Sequence, residues 1–478
     1  VRPTRALLPS IALLVAGCAV NPATGQRQLS LISEQQEIQM GRQANQDVES
    51  SLGLVQNESL QAYVAGIGKK EAARSERPEL PWSFAVVDDP VVNAFALPGG
   101  FIYVTRGIMA YFESEAELAG VLGHEIGHVT ARHSVNQMSR QQIQQIGLGV
   151  GMILSQDVRN YGDLLSAGLG LLDLKYSRGD ETQADELGVR YMTRAGYDPD
   201  ALLGVFEMLQ SVSGAEGGRV PEWQSTHPYP ENREAHIRQV MEQNQVPGGG
   251  TVGRDALLDH IDGIVYGENP REGYFKDDLF LHPELAFQIR FPAGWNTVNQ
   301  RSAVGAVSPG KDGLVVLEPV TDATDPTAAL RAFLAQDGVQ GGSVATGEDH
   351  GIPTARAPFT AQTSDGGEIR GEAEFLTWRG GVFRILGYAP SARWSTYASV
   401  VSRSMGSFAP VTDRAVLDVQ PQRLQLVTIP RAMTVTEFNQ RYPSAVPVEE
   451  VARLNRRAVG DVLPAGTRVK RVVGDALP

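Results

Sequence analysis

The chain has 478 residues, 42% hydrophobic and 20% charged. That is enough for about three domains with packed cores, and it excludes a disordered, collagen-like or coiled-coil chain. Lys and Arg number 42 against 55 Asp and Glu, for a net charge of -13, which argues against a general nucleic-acid binder. The one cysteine, Cys18, excludes an internal disulfide, a four-cysteine zinc site and a CxxC redox pair.

Taken in chain order, Arg2 and Arg5 precede an apolar run from Ala6 to Ala16. A basic start and about eleven apolar residues read as a secretory leader. The run is too short for a bilayer span, which needs about 20 residues. Ala16-Gly17-Cys18 resembles the end of a bacterial lipoprotein signal. The resemblance implies cleavage of residues 1–17, a diacylglycerol on the Cys18 thiol and attachment to a membrane through it. The alternative is a buried free cysteine inside an ordinary leader. Residue 19 is Ala rather than Asp, so the inner-membrane retention signal known in enterobacteria is absent and the outer membrane is implied. Loss of Arg2 and Arg5 takes the charge to -15. The polar stretch to residue 32 reads as a tether.

Ser33 is the expected N-cap of a helix running through Glu49, with Gln36 completing a capping box. A second helix spans about Glu58 to Ala73. Trp82–Val87 and Phe101–Thr105 read as strands, with a Pro98-Gly99-Gly100 turn before the latter. Ser114–Arg140 reads as one long helix, with Ser114 and Glu117 as its capping box. Ile143–Leu174 is apolar and Gly-rich, and reads as a mobile cover of a cleft or a membrane-apposed element. Asp180–Ala195 and Pro199–Val212 are helical. Gly214–Gly218 and Pro247–Gly250 break the chain.

The long helix carries His124-Glu125-Ile126-Gly127-His128. Residues four apart lie on one helical face, so two imidazoles can grip one zinc ion there. Glu125 is turned enough to reach a water without ligating. A catalytic zinc takes three protein ligands and keeps one position open. The downstream helix supplies Glu181 as the third ligand, and Asp185, four residues on, accepts a hydrogen bond from a ligating histidine and fixes its ring. One zinc per chain is expected. His133, five residues past His128, points elsewhere and reads as structural.

These motifs together resemble the gluzincin metallopeptidases of family 48, the HtpX- and BepA-like enzymes. Asn93–Val104, Ser225-Thr226-His227-Pro228 and Arg194–Pro199 match in order, and the likeness covers about residues 33 to 245. It implies His124, His128 and Glu181 as zinc ligands, Glu125 as the catalytic base and Asp185 behind them. It also implies a substrate edge strand that includes Asn93, Ala94, Phe101, Ile102 and Tyr103, where a peptide adds as a further strand. For His227 it implies one of two roles. The ring either occupies the open zinc position and keeps the enzyme latent, or stabilises the oxyanion. A loop histidine with no metal contact is the third reading.

Past residue 255 alternating strands dominate, as in Ala286–Phe291 and near Val315, Glu374 and Val382, with a helix over Ala392–Met405. Residues 282–410 loosely resemble the PsbP or Mog fold. The last stretch, with a strand, two short helices and a closing strand, resembles a LysM module. That resemblance implies a glycan such as peptidoglycan as ligand. Ala432-Met433 stands where the motif has Gly-Asp, and docking to a protein such as an envelope assembly complex is the other reading.

The expected class is therefore an α+β multidomain chain. Its parts are a lipoprotein signal at 1–17, a tether at 18–32 and a mainly helical gluzincin domain with a small edge sheet at 33–250. An α+β accessory domain follows at 251–412, then a LysM-like module at 413–478. The expected function is a lipid-anchored, periplasm-facing zinc metalloendopeptidase acting on misfolded or stalled envelope proteins. An assembly chaperone with a silent protease and a wall-bound scaffold are the alternatives. Nucleic acid is not an expected partner.

Overall fold

A computed structural model describes residues 18–147, 176–213, 227, 233–362, 367–475 and 477. The expected leader at 1–17, most of the cover at Ile143–Leu174, the breaker at Gly214–Gly218 and the neighbours of His227 in the Ser-Thr-His-Pro motif lie outside the described residues.

The stretch expected to be a tether folds. β1 (Cys18–Val20) pairs antiparallel with β2 (Arg27–Leu29). Asn21 closes the turn, its side-chain oxygen accepting from the Ala23 and Thr24 amides at 2.9 and 3.3 Å. The helices α1 (Glu34–Ser51) and α2 (Glu58–Ala72) follow, the first with its full Ser33–Gln36 capping box. Next comes a three-stranded sheet of β3 (Ser83–Val87), β4 (Ala94–Leu97) and β5 (Phe101–Thr105), ordered β3-β5-β4.

That order corrects the edge-strand expectation. Phe101, Ile102 and Tyr103 lie on the central strand, parallel to β3 on one side and antiparallel to β4 on the other. The edge on that side is Ala94–Leu97, because Gly99 and Gly100 (φ 80° and 101°) fold β4 and β5 into a hairpin. Phe95 and Tyr103 face α1, while Ala94, Ala96, Ile102 and Val104 enter the main core. This alternation is the two-residue period of a strand buried on both faces.

After α3 (Arg106–Tyr111) comes α4 (Glu115–Ala131), buried along nearly its whole length. The expected single helix to Arg140 is broken. Arg132 takes a left-handed conformation (φ 62°) and α5 (His133–Gly147) starts in a new direction. The Arg132 side chain accounts for the break: it donates to Glu37 at 2.9 Å and to the Ile32 carbonyl at 2.8 Å. The expected Ser114 capping box is half formed. Ser114 accepts from the Glu117 amide, but the Glu117 carboxylate accepts from Glu113 instead. Helices α6 (Arg178–Arg194), α7 (Ala201–Ser213), α8 (Arg233–Gln243) and α9 (Arg254–Ile261) complete the region. Leu257, Leu258 and Ile261 pack in the first core, so the domain extends past the expected boundary at 250.

The second region is antiparallel. Strands β6 (Tyr274–Lys276), β7 (Leu279–His282) and β8 (Phe287–Arg290) form one small sheet, closed later by β17 (Ala409–Pro410). A larger sheet holds β9 (Asn296–Gln300), β10 (Ala303–Val307), β11 (Leu314–Val320), β12 (Val339–Gly341), β13 (Ala345–Asp349), β14 (Ile352–Gln362), β15 (Glu368–Trp378) and β16 (Gly381–Pro390). Helices α10 (Pro326–Leu334) and α11 (Trp394–Met405) cover its opposite faces. On β11, Leu314 and Val316 face α10, while Val315 and Leu317 belong to the core that holds α11. A short α12 (Arg414–Leu417) packs Val416 against Tyr274 and Leu281, so this domain runs past the expected limit at 412.

The last module holds the expected strand, two short helices and closing strand, and adds a short strand on either side of the helices: β18 (Arg423–Thr428), β19 (Met433–Thr434), α13 (Val435–Arg441), α14 (Val448–Leu454), β20 (Val462–Leu463) and β21 (Arg468–Val473). It is docked on the first domain. Lys470, fully buried, donates to the Ala110 and Phe112 carbonyls at 3.1 and 2.9 Å and pairs with Glu113 at 2.8 Å, just ahead of α4. No helix among the described residues is long and apolar enough to cross a membrane.

Candidate metal centre

The crossing of α4 over α6 builds the site. A side chain at Gly127 would place its Cβ 3.0 Å from the Ala184 carbonyl oxygen, and one at Gly188 would meet the His124 amide at 3.0 Å. Glycine at both positions lets the two helices approach this closely without either backbone giving way. The approach brings Glu181 against the two histidines of α4.

His124, His128, Glu181 and His227 are all buried, and each offers one ligand atom within 4.8 Å of the others. His124 Nε2 lies 3.0 Å from His128 Nε2 and 3.6 Å from Glu181 Oε2. His128 Nε2 is 3.5 Å from Glu181 Oε1. His227 Nδ1 is 2.9 Å from Glu181 Oε1 and 3.4 Å from His124 Nε2. Two imidazoles and a carboxylate converging on one point, all buried, are a zinc-type donor set. The residues fit the metal in a second way. Both oxygens of Glu125 are buried without a hydrogen-bond partner, and Oε1 lies 3.7 Å from His227 Nε2. Such an orphaned carboxylate beside a donor set is placed to exchange a proton.

Electrostatics follow from burial and from the partners. Burial raises the Glu125 carboxyl above its ordinary range, although His227 and His124 oppose it. Burial, helped by the neighbouring imidazoles, drives His128 well below the ordinary histidine value and keeps it neutral, as a ligand must be. Burial also pulls His227 down, but the Glu181 and Glu125 carboxylates outweigh it and raise the ring. Asp185 is lowered: burial opposes ionisation, and Arg233 and His124 win.

The outer nitrogens of the two α4 histidines are held differently. His124 Nδ1 lies 2.8 Å from Asp185 Oδ1. Asp185 in turn accepts two bonds from Arg233, at 2.5 and 2.6 Å, and the guanidinium sits 4.4 Å over the Phe206 ring. His128 Nδ1 lies 3.0 Å from His133 Nδ1. The Tyr176 ring covers His128 at 3.9 Å, with its hydroxyl 2.8 Å from Ser134 Oγ.

The expected ligands and Glu125 therefore share one buried cluster, with Asp185 behind it. Asn93 and Ala94 lie buried at the β4 edge. The reading of His133 is corrected: the break at Arg132 swings it back onto His128. Sequence reasoning missed Arg233, Tyr176 and Gln183. For Arg233 and Tyr176 no spacing signal exists, because each reaches the site from another segment. Gln183 stands between Glu181 and Asp185 and carries no metal chemistry of its own.

Comparison with known proteins places the same region. The model of Peptidase family M48 matches residues 58–241. The chain is 31% identical over 235 residues to the mitochondrial metalloendopeptidase OMA1 of Schizosaccharomyces pombe, covering 47% of this chain and 67% of that protein. It is 29% identical over 250 residues to the beta-barrel assembly-enhancing protease of Yersinia pestis, covering 50% of this chain and 49% of the relative, and 29% identical over 232 residues to that of Escherichia coli. The chain thus spans about half the length of the two beta-barrel assembly-enhancing proteases. Among solved structures, the cyanobacterial PsbP of Synechocystis sp. PCC 6803 aligns with 28% of this chain and 94% of its own, at 15% identity and a TM-score of 0.23. That likeness is too slight to bear on fold or function.

Proposed function

The chain belongs to peptidase family M48, and from that premise we propose that it is a zinc metalloendopeptidase of the cell envelope. One observation carries the reading: His124, His128 and Glu181 converge in a buried cluster beside a Glu125 carboxylate that has no hydrogen-bond partner.

In this reading the three residues hold one zinc, which supplies Lewis acidity toward a water and the scissile carbonyl. Glu125 takes the proton of the attacking water on a carboxylate oxygen and returns it to the leaving amide nitrogen. The raised affinity of Glu125 for protons suits both halves of that transfer. Asp185 and Arg233 hold His124 in register. The substrate is an extended peptide added along Ala94–Leu97, close to α4, with main-chain hydrogen bonds that tolerate varied sequence. Asn93, at the head of that strand, has a buried side-chain oxygen without a partner and contributes a polar contact there.

His227 belongs to the same donor set as the three ligands. That favours its reading as an occupant of the open position, and with it a protease that is latent until the ring moves. His227→Ala then raises peptidase activity, whereas an oxyanion role predicts a loss.

The envelope location rests on the Cys18 signal and on the relatives named for beta-barrel assembly. Lipid attachment at Cys18, outer-membrane residence, misassembled envelope proteins as substrates and an assembly complex or peptidoglycan as partner belong to this proposal.

Zinc analysis and proteolysis test it. Purified protein carries about one zinc per chain, and the His124→Ala, His128→Ala double variant carries none. Glu125→Gln keeps zinc and loses cleavage of an unfolded protein. Full zinc content in the double variant overturns the site.

A further inference from the structure

The hairpin that replaces the expected tether touches the metal centre through other side chains. Asn21 is buried, and its Nδ2 lies 3.2 Å from Gln183 Oε1 on α6. The same oxygen is 2.9 Å from His133 Nε2. His133 Nδ1 is 3.0 Å from His128 Nδ1, and His128 Nε2 faces Glu181 and His124. We propose that the N-terminal hairpin is part of the metal centre, and that Asn21, Gln183 and His133 are positioning residues that set the ring orientation and tautomer of His128.

The direction of every bond follows from the hairpin turn. The Asn21 side-chain oxygen is committed to the amides of Ala23 and Thr24. Its nitrogen must therefore face Gln183, and Gln183 must present its oxygen. An amide oxygen only accepts, so His133 Nε2 carries a proton and donates to it. Neutral His133 is then left with a lone pair on Nδ1. His128 must donate to that lone pair, so its proton sits on Nδ1. The free lone pair of His128 is left on Nε2, the nitrogen that faces the other ligands. A turn about a hundred residues away in sequence thus selects the ligating tautomer. Two further contacts hold the pieces in place. The Leu31 amide donates to Ser139 on α5 at 3.1 Å, and Asp180 Oδ1 approaches His133 Nε2 at 3.7 Å.

The relay has a consequence for the anchored protein of the preceding reading. Asn21 stands three residues after Cys18, so displacement of the hairpin at the anchored end loosens His128.

The test is zinc affinity, measured by competition with a chromogenic chelator at a temperature where each metal-free variant is folded. Loss of an outer partner of a ligating histidine weakens metal binding about 10–100-fold. His133→Phe is expected to show that loss. His133→Asn, whose side-chain oxygen takes the place of Nδ1, restores most of the affinity. Gln183→Leu and Asn21→Leu weaken binding in the same direction and by less. Wild-type affinity in His133→Phe overturns the relay. If His133→Phe does not fold, Gln183→Leu and Asn21→Leu decide alone. The inference rests on the zinc reading but fails separately. Wild-type protein that binds no zinc removes that reading, whereas wild-type and His133→Phe proteins that bind zinc equally remove only the relay.

Discussion

The two histidines of α4 stand four residues apart on one helical face, yet their outer nitrogens meet opposite environments. His124 leans on a carboxylate locked to a guanidinium, with both charges fully buried. His128 leans on a neutral chain of imidazole and amides that ends in a surface hairpin. A charged partner raises the basicity of its ligand as well as aiming it. A neutral partner chiefly aims it. The charged flank also cements α6 to α8, while the neutral flank can be withdrawn without stranding a charge. One flank of the cluster therefore rests on a buried ion pair and the other on hydrogen bonds between uncharged groups.

The comparison breaks most readily at Asp185. Asp185→Asn leaves Arg233 buried with its main charge partner gone, a defect that costs about 3–5 kcal/mol. The expected result is a lower denaturant midpoint for the metal-free protein, together with weaker zinc binding than any relay variant shows. A variant that loses zinc affinity but keeps full metal-free stability shows instead that the charged flank only aims.

A control far from both flanks sharpens the contrast. Lys470→Met removes the buried ammonium that ties the last module to Ala110, Phe112 and Glu113. Glu113 keeps Arg254 at 2.9 Å, so the main loss is that of partners for two buried carbonyls, at about 1–3 kcal/mol. Stability measured by urea unfolding falls, and zinc affinity measured by chelator competition stays at the wild-type level. A fall in zinc affinity there means that the module also holds the metal helix in place.

The smallest effect is an acid response at the same seam. Burial pushes Glu113 up, but Lys470 and Arg254 outweigh it and hold it below its ordinary value of 4.5. The folded state thus binds this proton more weakly than the unfolded chain. The stability it contributes is complete above the unfolded value and is lost as pH falls through the lower folded one. Urea midpoints taken downward from about pH 5 should fall less steeply in Glu113→Gln than in the wild type. Equal slopes assign the acid response to other carboxylates.

Much of the centre was legible because helices impose a short period. His124 and His128, and Glu181 and Asp185, are pairs four apart, and each pair shares a face wherever the helix lies. The Ser33 cap and the alternation in Ala286–Phe291 are equally local. The sheet order was not local. Phe101–Thr105 looks like an edge strand until β3, whose parallel partner cannot be read from the hairpin, occupies its other side. The tether looked unstructured because its polar residues satisfy one another and α6 rather than a core. His133 looked misaligned because a continuous helix was assumed, and the turn at Arg132 depends on Glu37 about a hundred residues earlier.

By itself, then, the sequence determined that His124 with His128, and Glu181 with Asp185, share helical faces, and that a mainly helical region precedes a strand-rich one, since these follow from repeats of two or four residues. Only the tertiary structure decided which strand is the edge, where α4 ends, that Asp185 and Arg233 stand behind His124 while the hairpin reaches His128 through Gln183 and His133, and that the last module docks ahead of α4. Each of those depends on contacts between segments far apart in the chain, and such contacts form only when the close approach of α4 and α6 and the left-handed turn at Arg132 bring them together.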